Sequence, residues 1–196
     1  MKKTLPLLLC LALALALLLG SAASAAVAVG DPAPDFRLKD LDGQEVALSS
    51  LRGKVVVIEW MNPNCPFIVR HAKEGTMTGI VKSHPEIAFL AINSTNPGHK
   101  DYLEPAAHAA FNREHGIEYP VLYDPTGEGG KAYGAKTTPH MFVIDGEGIV
   151  RYNGAIDDAP NGGAKVNYVK QALAAHAAAR PVEPATTKPY GCTVKY

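Results

Sequence analysis

The sequence is poor in the features that mark several protein classes. It has no basic stripe, so nucleic acid is excluded as a partner. It has no acidic tail or block of like charge, and no internal repeat. Cysteine is scarce, with three in 196 residues, and no Cys-x3-Cys or His-x-His spacing points to a metal or other cofactor. The one long apolar run, Leu5–Leu19, is short for a membrane span of roughly 20 residues. It follows Met1-Lys2-Lys3 and leads into small residues from Gly20. That order predicts a secretory signal peptide over residues 1–25, cleaved between 25 and 28 at Ala23-Ser24-Ala25 or Ala26-Val27-Ala28. The protein then meets the membrane only through this leader, and the mature chain is periplasmic or secreted. Leu7-Leu8-Leu9 are too bulky for a lipoprotein cleavage site, so Cys10 leaves with the leader.

About 170 residues remain, enough for one domain with a sizeable core. Without Lys2 and Lys3, 17 basic residues face 19 acidic ones. Two short strand-like pieces, Phe36–Leu38 and Glu45–Leu48, flank Asp42-Gly43 and predict a hairpin. The β-branched run ending Ile58-Glu59-Trp60 predicts a strand buried on both faces. Pro66 suits the first turn of a helix reaching about Ala72. Further helices are expected from Thr76 to His84, Pro105 to His115 and Lys165 to Arg180, and strands over Ile87–Asn93, Tyr119–Tyr123, His140–Ile144 and Ile149–Tyr152. The alternation predicts an α/β domain over residues 29–180, a central mixed sheet flanked by helices. Residues 181–196 are expected to form a proline-bearing tail, extended on the surface.

Cys65 stands where a buried strand gives way to a helix. Helix N–H groups there favour a negative sulfur, which makes Cys65 a candidate nucleophile or metal ligand. Thr138-Pro139, just before the apolar strand Met141–Ile144, is a second candidate feature. His84, His99, His108, His115 and His176 read as solvated residues, and His71 lies off the Cys65 face. His140 follows Pro139 and is expected to approach Cys65, to tune its thiol or share a metal with it.

Val55 to Ile68, taken with Gly30–Phe36 and Thr138–Gly148, resembles the thioredoxin-like redoxins, among them the AhpC/TSA peroxiredoxins and TlpA-like exported reductases. The resemblance runs over residues 29–180. It implies a thioredoxin-like fold with an N-terminal hairpin, Pro139 at the family's cis-proline position, and a thiol-dependent oxidoreductase with Cys65 as attacking thiolate. It further implies that Thr138 presents its backbone to the sulfur and that Pro139 keeps that edge from ligating metal. Two positions depart from the family. Ile68 stands where a reductase carries the second cysteine of Cys-x-x-Cys, and Asn62 where a peroxiredoxin carries threonine. Cys192 is then the candidate resolving thiol, and Asn62 a candidate donor to an incoming oxygen or sulfur. The substrate is a peroxide or a protein disulfide, and an external thiol protein restores the dithiol. The alternatives are a copper or zinc carrier using Cys65 and His140, or a redox-inert binding module.

Overall fold

The structure, a computed structural model, describes residues 26–196. The expected leader and Cys10 lie outside the described residues. The elements run β1 (Arg37–Asp40), β2 (Glu45–Ala47), β3 (Val56–Trp60), α1 (Pro66–Glu74), α2 (Thr76–Ser83), β4 (Ala88–Asn93), α3 (Pro105–His115), β5 (Val121–Tyr123), α4 (Glu128–Tyr133), β6 (Thr137–Thr138), β7 (His140–Ile144), β8 (Val150–Gly154), α5 (Tyr168–Ala177) and β9 (Cys192–Thr193). Seven strands form one mixed sheet in the order β2-β1-β5-β4-β3-β7-β8, while β6 and β9 form a separate antiparallel pair. Strand β3 pairs parallel with β4 and antiparallel with β7. This is the central mixed sheet flanked by helices that the alternation of elements predicted, and the thioredoxin-like fold that the resemblance implied. No helix of the described residues is long and apolar enough to cross a membrane.

Each face of the sheet carries its own core, because side chains alternate along a strand. On one face Val57, Met61, Met141 and Val143 pack with Cys65, Ile68 and Ala72 of the α1 region and with Val169 and Leu173 of α5. On the other, Ile58, Trp60 and Phe142 pack with Phe36, Leu48 and Tyr133. Trp60, Tyr133 and Phe142 form an aromatic trio with centroids 5.0–5.3 Å apart. The β1–β2 turn is locally encoded, since Asp40 Oδ1 accepts from the N–H of Asp42 and Gln44.

The fold adds one helix that the sequence pattern did not predict and changes one expectation. Helix α4 lies in the glycine-rich Glu128-Gly129-Gly130, a poor helix former. It forms because Tyr133 buries into the core and the Gly130 N–H reaches Asp124 Oδ2 at 2.9 Å. His108 is fully buried rather than solvated, with Nδ1 3.1 Å from Tyr123 Oη, and burial pulls its pKa down to about 4. The tail lies extended along the surface, as expected, and is docked there by specific contacts. Thr187 Oγ1 accepts from Ala155 N–H, Val194 is buried, Lys195 O accepts from Asn96 N–H, and Tyr196 Oη donates to Ala135 O.

Candidate active site

The β3–α1 connection is braced by one side chain. Asn62 Oδ1 accepts from Asn64 N–H at 2.7 Å, and its amide donates to Thr95 Oγ1 at 2.7 Å and to Asp101 O at 3.2 Å. The backbone O of Asn62 takes the Cys65 N–H at 2.9 Å. With both amide hydrogens committed to protein, Asn62 fixes the loop and does not fit the expected role of donor to an incoming substrate atom. Cys65 occupies the N-cap of α1, with Pro66 at the first helical position. Its side chain is 2 % exposed. The Thr138–Pro139 peptide is cis, and Cys65 Sγ lies 3.0 Å from Thr138 O.

Strand β9 brings the second sulfur. It pairs with β6 so that Cys192 lies opposite Thr138, and Cys192 Sγ is 2.8 Å from Cys65 Sγ, both cysteines being free thiols. A gap of 127 residues in sequence closes to one sulfur contact. Gly191 makes the approach possible. Its φ is +134°, and a Cβ there would sit 2.1 Å from Thr138 O.

The two thiols are driven in opposite directions. Burial pushes the Cys65 thiol up, but hydrogen bonds from the Cys192 thiol, the Thr138 side chain and the backbone of Ile68 and Cys192 outweigh it, leaving its pKa lowered. The Thr138 carbonyl opposes ionisation, since it favours a proton on Sγ. Cys192 is pushed up to about 12 by burial, by its hydrogen bond to Cys65 and by the Cys65 charge. The pair therefore sets a more acidic buried thiol beside a half-buried one that holds its proton, a polarity suited to thiol–disulfide chemistry.

Beneath them lies Glu59, fully buried in β3, with Oε2 3.4 Å from Tyr119 Oη and Oε1 without a partner. Burial raises its pKa to about 8, the Tyr119 hydrogen bond works against this, and the Cys65 charge adds to it. A carboxyl in the middle of an apolar strand was the sequence signal for this group, and motif reading passed over it. His140 does not approach the thiols. It points to the opposite face with Phe142, its Nδ1 accepting from Lys136 N–H and its Nε2 2.7 Å from Asn153 Oδ1. Both ring nitrogens are engaged, so it does not join Cys65 around a metal.

Comparison with known proteins agrees with this geometry. The AhpC/TSA family model matches residues 29–153. The chain belongs to the AhpC/TSA family. It is similar to the thiol-disulfide oxidoreductase ResA of Geobacillus thermodenitrificans, at 31% identity over 124 residues, 63% of this chain and 67% of that protein. A crystal structure of an uncharacterized conserved protein from Geobacillus kaustophilus superposes with a TM-score of 0.77 at 30% identity, covering 86% of this chain and 92% of its own. One from Sinorhizobium meliloti 1021 does so with 0.77 at 26% identity, covering 88% and 97%. As a member of the AhpC/TSA family the protein is a thiol-dependent oxidoreductase.

Proposed function

We propose that the protein is an exported thiol–disulfide oxidoreductase whose working couple is Cys65 and Cys192, one on the helix and one on the tail. The observation that carries this reading is the 2.8 Å contact between two free thiols of opposite protonation tendency. Cys65 takes the place of the nucleophile and Cys192 that of the second thiol, where Ile68 interrupts Cys-x-x-Cys. In the forward direction the Cys65 thiolate attacks one sulfur of a substrate disulfide, and the other leaves as a thiolate. Cys192 then attacks Cys65 Sγ and expels the substrate's second thiolate, leaving a Cys65–Cys192 disulfide. Two electrons pass to the substrate, and an external dithiol protein returns them. Glu59 serves as the buried proton store beside Cys65, Thr138 frames the sulfur through its carbonyl, and Pro139 fixes that edge. Export rests on the leader-like residues 1–25.

A second reading, reduction of a small peroxide, is favoured by one observation. The cleft over Cys65, lined by Asn62, Thr95, Thr138 and Cys192, has a free volume of only about 20 Å³, about one water molecule. In that case the thiolate takes one peroxide oxygen, an alcohol or water leaves, and Cys192 expels water from the sulfenic acid. Mass mapping of reduced protein after exposure to hydrogen peroxide or to a disulfide-bonded protein tests both. The proposal expects a Cys65–Cys192 bridge with each oxidant and faster formation with the protein disulfide. Faster formation with peroxide supports the second reading, and failure of any Cys65–Cys192 bridge overturns both.

A further inference from the structure

The docked tail also enters a polar cluster that no redox step above uses. Tyr190 lies two residues before Cys192, with its ring on Phe67 of α1 at a centroid distance of 5.8 Å. Its hydroxyl donates to Asp157 Oδ1, in the loop after β8. The Tyr190 oxygen accepts from Arg70 Nη2 at 3.4 Å and lies 3.0 Å from His71 Nε2, which is itself 3.1 Å from Arg70 Nη2. His71 Nδ1 lies 3.2 Å from Thr76 Oγ1. His71 is fully buried and Asp157 is 3 % exposed. Arg70 is held toward the cluster and also lies 3.5 Å from Glu74. Burial and the Arg70 charge keep His71 neutral, against the pull of Asp157 and Glu74.

Three of these groups belong to separate parts of the chain: α1, the β8–α5 loop and the tail. They converge on one phenolic oxygen. Buried polar groups left without a partner are costly, and docking of Tyr190 supplies a partner to Asp157, His71 and Arg70 at once. Helix α1 also begins at Cys65. A contact that ties Tyr190 to Arg70 and His71 therefore ties the tail to the same rigid element that carries the nucleophile.

We infer that Tyr190, held by Asp157, His71 and Arg70, is a positioning residue that latches the tail onto α1 and so sets the effective concentration of the Cys192 thiol at Cys65. This rests on the proposed Cys65–Cys192 couple. Without the hydroxyl the reduced tail leaves its dock more often, whereas the oxidised tail stays tethered by the bridge. The disulfide then becomes easier to reduce.

The test is Tyr190→Phe, which keeps the ring on Phe67 and removes only the hydroxyl. The full-length protein is equilibrated in glutathione buffers, and the Cys65–Cys192 bridge is quantified by mass after acid quenching. The expected result is a tenfold lower equilibrium constant for the bridge, a midpoint potential about 30 mV less negative for a two-electron couple. Asp157→Asn, which keeps an acceptor oxygen for the hydroxyl, is expected to fall between wild type and Tyr190→Phe. Urea unfolding of the oxidised forms guards against a folding defect. A Tyr190→Phe protein that loses stability but keeps the wild-type potential overturns the latch and leaves the couple intact. Absence of any bridge in wild type would instead defeat the couple itself.

Discussion

Replacing Glu59 with glutamine isolates the strangest charge in the core. The group is fully buried and keeps its proton to about pH 8, against 4.5 for an ordinary glutamate. Between those values the native protein holds a proton that the unfolded chain has released. Stability therefore falls as pH rises through this window, by about 1.4 kcal/mol per pH unit, on the order of 5 kcal/mol in all. His108 and His140 act with the opposite sign. Both are held to about 4 from 6.5 by burial, so the unfolded chain binds the extra protons and stability rises over that window. From pH 4.5 to 6.5 two histidines outweigh one carboxyl, and above 6.5 only the carboxyl of the three still titrates. The combined contribution of these three groups should peak near pH 6.5. Glutamine mimics the protonated form, so the wild-type and Glu59→Gln curves should separate by about 2 kcal/mol between pH 6.5 and 8. Urea unfolding at half-unit steps, with the difference taken at each pH so that other groups cancel, measures this. Parallel curves would refute the claim that Glu59 is protonated in the fold.

Gly191→Ala should disturb tail docking, because a side chain in that backbone region costs roughly 1–3 kcal/mol and its Cβ meets Thr138 O; alkylation of Cys65 in the reduced protein should speed up by about tenfold, and an unchanged rate would mean the tail does not cover the thiol. Deleting residues 191–196 should leave the fold intact and, after peroxide, leave Cys65 as a sulfenic acid or an intermolecular dimer, read by intact mass. Cys192 is half-buried where Cys65 is 2 % exposed, and Cys65 is the better leaving group, so a single-cysteine reductant protein added to the bridged form and quenched with an alkylator should be found on Cys192; recovery on Cys65 would reverse the proposed order of exchange.

The frame of the site was legible because it is written locally. Val55–Trp60 is β-branched and apolar, Pro66 starts a helix, and Thr138-Pro139 precedes an apolar strand, so Cys65 and Thr138 fall where short-range patterns put them. What stayed hidden depends on chain segments far apart. His140 follows Pro139 in sequence, yet strand alternation turns it to the face opposite Cys65. Asn62 reads as a free amide until Thr95 and Asp101 arrive to engage it. His71 and Tyr190 carry no motif at all, and their contact spans 119 residues. Periodicity reports the face a residue takes, but not which distant group waits there.

A thiol pair carried within one helical turn is preorganised by the helix, and its geometry survives most of what happens elsewhere in the domain. A pair divided between α1 and β9 has no such protection. Its sulfurs meet only through the β6–β9 pairing and the docking of Tyr190, Val194 and Tyr196. Docking energy then enters the redox equilibrium directly, through the effective concentration of one thiol at the other. The same coupling works in reverse. Whatever draws the tail away from β6, a substrate strand or a reductant reaching for Cys192, both uncovers Cys65 and weakens the bridge that would close it. On this reading the departure of Ile68 from Cys-x-x-Cys moves control of the couple from the helix to the tail.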